Sequence, residues 1–113
     1  MAKHSKGFNL TGGVANTLIT VPTGYDVVVT YLFIANGGGS TSNVTATWHD
    51  GVDVVFLAGK SVSSSDFIAF GGPQGAFLVM REGDYMTIEP AAGSTFSAII
   101  SYELYPAAPR LNI

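Results

Sequence analysis

The 113-residue sequence contains no cysteine. That excludes a disulfide framework and a thiolate metal site, and it fits assembly in a reducing compartment. Charge is the next shortage: Asp, Glu, Lys and Arg make up 12% of the chain, against about 25% in an average globular domain. Lys and Arg number five and the net charge is −3, so the clustered positive charge that nucleic-acid binding leans on is missing. No run approaches the ~20 consecutive apolar residues of a membrane helix, and no apolar pattern of useful length repeats every 3.6 residues. Neither a nucleic acid nor a membrane is expected as a partner. The N-terminal Met-Ala-Lys-His-Ser-Lys-Gly precedes no long apolar run, so no secretory signal is expected. The sequons at Asn9 and Asn43 are then expected to be chance occurrences.

What is present is apolar and β-forming. Apolar residues reach 47%, so a small domain must cover itself with Gly, Ser, Thr, Ala and some exposed apolar groups. Large apolar patches on soluble proteins mark interfaces, and association is the expectation. The stretch Tyr-Asp-Val-Val-Val-Thr-Tyr-Leu-Phe-Ile-Ala-Asn, residues 25–36, is almost wholly β-branched or aromatic and suits a pleated, half-buried surface. Strand side chains alternate with period two. Strict alternation sets Tyr25, Val27, Val29, Tyr31, Phe33 and Ala35 on one face and Asp26, Val28, Thr30, Leu32, Ile34 and Asn36 on the other. The second half is apolar on both faces. One face must meet the domain core and the other needs a further cover, either more of this chain or a neighbouring subunit. Leu32 and Ile34 are the candidates for that outer contact.

Further strands are expected at 14–21, 67–70, 77–80, 85–89 and 96–104, with a short edge strand at Phe8 and Leu10. Turns are marked by Pro22-Thr23-Gly24, Gly71-Gly72-Pro73 and Glu82-Gly83-Asp84. Residues 43–58 form a hairpin about Asp50-Gly51, a favoured turn dipeptide. Val44, Ala46 and Trp48 point inward from its first arm, and Val54, Phe56 and Ala58 share a face of its second. Gly37-Gly38-Gly39-Ser40-Thr41-Ser42 is expected to be the loosest segment, since ordering three glycines is costly. It lacks the phosphate-loop signature and no helix follows it. The fold class is all-β: a single β-sandwich or jelly roll of about seven to nine antiparallel strands. The domain is expected over 8–105, with a flexible N-terminal arm at 1–7 and an extended C-terminal tail at 106–113. The expected core includes Val27, Val29, Val44, Trp48, Phe56, Ile100 and Tyr102.

Chemistry is sparse. The two histidines are His4 and His49. His49 with Asp50 and Asp53 does not form the tetrahedral set zinc wants. Asp50, Asp53 and Asp66 match no calcium loop. Serines 61, 63, 64 and 65 offer hydroxyls, but there is no Gly-x-Ser-x-Gly elbow to present one. No carboxylate pair is marked for sugar hydrolysis. Trp48 shares parity with Val44 and Ala46, which makes it a core residue before a sugar platform. The expectation is a non-enzymatic protein with no cofactor and no metal.

Several segments occur together: Thr-x-x-Thr-Val-Pro-x-Gly-Tyr (17–25), the apolar strand ending Ala-Asn (25–36), the Thr-rich strand with Trp48 (45–48), Phe-Leu-Ala-Gly-Lys (56–60), Arg-Glu-Gly-Asp-Tyr-Met (81–86) and Ser-Ala-Ile-Ile-Ser-Tyr-Glu (97–103). In this order they resemble small β-sandwich structural proteins of tailed-bacteriophage virions, over residues 14–104. The resemblance implies a structural protein of the virion, assembled in the host cytoplasm. It implies a homo-oligomer, a trimer at threefold positions, that contacts the major capsid protein or other virion proteins. Capsid decoration (a cement protein) is the expected role, because the chain is one short domain without a fibre's length or a connector's long loops. A tail, connector or fibre component, or a carbohydrate-binding sandwich, is the alternative. The tails are expected to grip neighbours: Lys3 and Lys6 by meeting acidic groups, Leu111 and Ile113 by filling a pocket, and Arg110 by pairing beside them. Prolines 106 and 109 would keep the second tail extended and so reduce the ordering cost of binding.

Overall fold

The computed structural model of the chain describes residues 2–71 and 77–107. In chain order the strands are β1 (Ala2–Leu10), β2 (Asn16–Thr20), β3 (Tyr25–Asn36), β4 (Ser42–His49), β5 (Asp53–Val62), β6 (Phe67–Gly71), β7 (Leu78–Met80), β8 (Tyr85–Pro90) and β9 (Phe96–Pro106). They make two antiparallel sheets, and no helix occurs among the described residues. The first sheet has the order β1-β9-β3-β6, with β7 also paired to β3. The second has the order β2-β8-β4-β5. The sheets face each other as a β-sandwich over one apolar core.

The β-rich stretch 25–36 is the spine of the first sheet. β9 runs beside β3 from Tyr25↔Pro106 to Asn36↔Phe96. On its other side β3 pairs with β7 along its first half and with β6 along its second. Strict alternation fails in the middle of this strand. Val29 lies opposite Tyr102 and Tyr31 opposite Ser101, so Thr30 is an extra residue, a β-bulge. A one-residue shift exchanges the two faces. Val27 and Val29 are buried before the bulge, and Leu32, Ile34 and Asn36 after it. The two apolar half-strands therefore form one continuous core face. Leu32 and Ile34, expected at an outer contact, are fully buried in the core. Tyr31, Phe33 and Ala35 take the outer face instead.

The bulge imposes a demand on its neighbour. Gly71, at the end of β6, has φ +83°, and a Cβ there would lie 2.2 Å from the Thr30 carbonyl oxygen. Glycine alone fits both the left-handed backbone and the close approach.

The inner face of β9 is Phe96, Ala98 and Ile100, with Tyr102 and Leu104 packed at the margin. Across the core lie Leu18, Val44, Ala46, Met86 and Ile88 of the second sheet. Val27, Val29, Val44 and Ile100 are buried as expected, while Trp48, Phe56 and Tyr102 are partly buried against them. The hairpin arms are β4 and β5, and Gly51 at the turn has φ +71°. The alternation expected for Val54, Phe56 and Ala58 does not hold. Two register shifts in β5 put Leu57 opposite Ala46 and Val54 opposite Trp48, and Ala58 is exposed.

Two flexible segments were expected where the structure is ordered. Residues 2–7 are not an arm but most of β1, paired with β9 from Ala2↔Leu104 to Leu10↔Phe96. Their side chains lack alternation because Phe8 and Leu10 are the β1 residues packed on the core; the backbone edge of the long β9 orders the rest. The loop after β3 is tied down by the buried Asn36. Its Nδ2 donates to the Ser40 and Val62 carbonyls, both at 2.9 Å, and its Oδ1 accepts from the Gly38 N–H at 2.9 Å. The Ser64 hydroxyl donates to the Gly38 carbonyl. Pro106 closes β9. The tail candidates Arg110, Leu111 and Ile113 lie outside the described residues.

Candidate functional site

The two outer faces differ in chemistry. On the second sheet, Thr17, Thr87 and Thr47 stand in register across β2, β8 and β4, with Thr45 opposite Glu89 nearby. Threonine is a good strand former; Thr17 is exposed and Thr87 is buried between its neighbours. His49 sits at the end of this face. Its Nδ1 pairs with the Asp53 carboxylate, its Nε2 lies 2.9 Å from the Thr87 hydroxyl, and its ring stacks on Tyr85 at 4.1 Å.

Carboxylate, imidazole and hydroxyl in that order are the groups of a general-base relay. Here the hydroxyl belongs to Thr87, not to any of serines 61, 63, 64 or 65, and no local sequence signal pairs positions 49 and 87. Thr87 is only 7% exposed. Both ring nitrogens are engaged and one ring face is covered. The cluster joins the ends of β4 and β5 to β8. Asp50 stays exposed at the turn, and Asp66 accepts from the Phe67 N–H at the start of β6. Among the described residues no three His, Asp or Glu groups converge to hold a metal. Trp48 points toward the core margin and donates to the Asp84 carboxylate at 3.2 Å, which also accepts from the Arg81 N–H at 3.0 Å. These contacts secure the 81–84 turn.

The outer face of the first sheet is apolar at its centre. Registers set Phe33 between Ile99 of β9 and Ala69 of β6, Ala35 between Ser97 and Phe67, and Tyr31 between Ser101 and Gly71. Phe33 stacks with Phe67 at 4.9 Å and with Tyr31 at 6.3 Å. Phe67 is 55% exposed, Ile99 45% and Val79 46%. Around them are Ser97 and Ser101, whose hydroxyl pairs with that of Ser5 at 2.8 Å. Lys3 lies opposite Glu103, with 4.0 Å between their charged atoms. Lys6 is on the other side of β1, over the Phe8 ring at 5.2 Å. Of the candidate contact residues, then, Lys3 borders this face, Lys6 does not, and Leu32 and Ile34 lie beneath it.

No protein-family model matches the chain, and no curated protein matches it. The fold does have solved counterparts. One comes from work describing Bacillus endospore appendages as a novel family of disulfide-linked pili; it is 16% identical, with a TM-score of 0.52, over 95% of this chain and 87% of the other. At that identity the likeness is one of fold. This sequence has no cysteine, so disulfide linkage of that kind is not open to it.

One titration reports on the border of the apolar face. The Tyr105 hydroxyl donates to the Glu103 carboxylate at 2.6 Å. This hydrogen bond to a negative group, with some desolvation and the charge itself, raises the phenol above its ordinary value. The raised group is neutral in its favoured form. Its contribution to stability is complete below the ordinary tyrosine range and is lost as pH rises through the folded-state value. In an absorbance titration of phenolate, Tyr105 is expected to ionise above the ordinary range, and Glu103→Gln to bring it down. No change in the titration of Glu103→Gln would show that the bond does not form in solution.

Proposed function

We propose that the chain is a non-enzymatic structural subunit that associates with copies of itself. The observation that carries this reading is the apolar outer face of the first sheet, with Phe67, Ile99 and Val79 exposed on a chain that is only 12% charged. Exposed aromatic and aliphatic groups at the centre of a polar rim have the anatomy of a protein interface. The most specific form of the proposal follows the sequence resemblance: a capsid decoration protein in a virion, set on the shell as a symmetric oligomer, a trimer at threefold positions. The likeness to an appendage subunit favours a second reading, a subunit of a filament, and it supports the coarser idea of a self-assembling sandwich equally well.

The test is where the protein sits. Electron cryo-microscopy of particles from cells expressing the gene is expected to show the sandwich repeated over the capsid surface. Particles lacking it should rebind the purified chain and gain resistance to heat. Density confined to a tail or one vertex would replace decoration by a tail role. Filaments without particles would select the second reading. A monomer that joins no assembly would overturn the proposal.

A further inference from the structure

We infer that the outer face of the β1-β9-β3-β6 sheet packs against the same face of a second copy, centred on Phe33. This rests on the reading above that the chain is a self-associating subunit, and it names the surface and the occupant.

Size comes first. β3 has twelve residues, about 40 Å at ~3.3 Å per residue, and four strands side by side span about 19 Å. The other columns are shorter, β1 with 9 residues, β9 with 11, and β6 and β7 together with 5 and 3, so the flat footprint is about 630 Å², somewhat under the ~800 Å² per partner of a standard stable interface.

Charge selects the occupant. Phe33 lies near the centre of the face, with Ile99 beside it on β9, Tyr31 along its own strand and Phe67 toward the β6 edge, and without an ionisable neighbour in register beside Phe33. The Lys3 ammonium at the border is already opposite Glu103. The centre of the face offers no charge to a nucleic acid, an anionic surface or a strongly charged protein; the carboxylates Asp26 and Glu103 lie toward one end of it, and Asp26 Oδ1 has no partner among the described residues. The centre is complementary to another neutral, flat aromatic face, and the nearest supply of one is a copy of itself.

Symmetry then agrees. An isologous contact needs a patch that tolerates its own image, so like charges must stay away from the axis. Here the axis would pass through stacked rings. The outer face of the other sheet mixes threonines with the exposed Val55 and Tyr85; an isologous contact through the Phe33 face by itself closes on a pair. Any threefold arrangement would need a second, different contact, and copies would then come in sixes.

The experiment is sedimentation of the full chain over a wide concentration range, beside the double variant Phe67→Lys/Ile99→Lys. Both positions are exposed, so the variant should melt as the parent does, which a thermal scan checks. Thr47→Lys on the opposite sheet is the control. The parent and Thr47→Lys are expected to form even-numbered assemblies, and the double variant to associate at least about a hundredfold more weakly, as loss of central anchors does. A spin label at Ser97→Cys, with no native cysteine to compete, should give a short distance between copies. If the double variant assembles as tightly as the parent, the contact lies elsewhere, and self-association survives without this face. If the parent stays monomeric and the labels report no second copy, the inference fails. The reading of the chain as a subunit then depends on the particle experiment alone. Binding of a polysaccharide through Phe33 and Phe67 by a monomer would also overturn it.

Discussion

Replacing Val29 or Leu32 with aspartate is expected to leave no cooperatively folded protein, whereas Phe33→Asp should still melt in a single transition. All three sit within five residues of one strand. Val29 and Leu32 are 0% exposed in the core, where a carboxylate would have no partner and would also replace a packed side chain. Truncating a buried aliphatic side chain costs about 2–5 kcal/mol, and the unpaired charge adds to that. The sum reaches or exceeds the ~5–15 kcal/mol stability of a typical domain. Phe33 faces outward against Tyr31 and Phe67, so its loss costs about 1–2 kcal/mol, within the ordinary range for partly exposed positions. Circular dichroism melts of the three variants decide the matter. Without the bulge at Thr30, Val29 and Phe33 would share a face and Leu32 would lie on the other. A folded Leu32→Asp protein, or an unfolded Phe33→Asp protein, would therefore place the bulge wrongly.

Gly71→Ala is expected to be the most damaging conservative change outside the core. Two costs add. The first is a left-handed backbone, φ +83°, worth about 1–2 kcal/mol for a residue with a Cβ. The second is collision with the Thr30 carbonyl at 2.2 Å, which the chain relieves only by moving the bulge or the end of β6. Together they reach about 4 kcal/mol, the level at which a single change becomes exceptional. For a domain of this length that lowers Tm by about 15 °C, at roughly 4 °C per kcal/mol. Gly24→Ala separates the two costs. Gly24 has φ +86°, but a methyl group added there would meet nothing within 4 Å. The strain therefore acts alone and Tm should fall by about 4–8 °C. Equal losses for the two variants would show that the bulge gives way freely.

The legible part of this protein was the part written in local chemistry. Runs of valine, isoleucine, tyrosine and phenylalanine placed β3 at Tyr25–Asn36 and the last strand near Phe96. Asp50-Gly51 placed the hairpin turn, and the absence of helical periodicity left a sandwich as the reading. The short, polar edge escaped. Nothing in Lys3-His4-Ser5-Lys6 marks a strand, because what orders it is the unpaired backbone of β9, at the far end of the sequence. Thr87's place in the Asp53–His49–Thr87 cluster escaped for the same reason: His49 and Asp53 meet across the local hairpin, but Thr87 joins them only when β8 pairs with β4.

The candidate surface was half legible. The sequence by itself determined that residues 31–35 carry apolar groups on both sides of a strand and hence that two covers are needed. Which residues meet which cover was decided only by the tertiary structure. Period two distinguishes two faces but does not say which is inside, and one extra residue exchanges them. Thr30 has no feature that announces a bulge; its place follows from the register that β9, β6 and β7 impose together on β3. That register sets the aliphatic Val27, Val29, Leu32 and Ile34 against the aliphatic side chains of the second sheet in one close-packed core and leaves Phe33 outside, stacked on Tyr31 and Phe67.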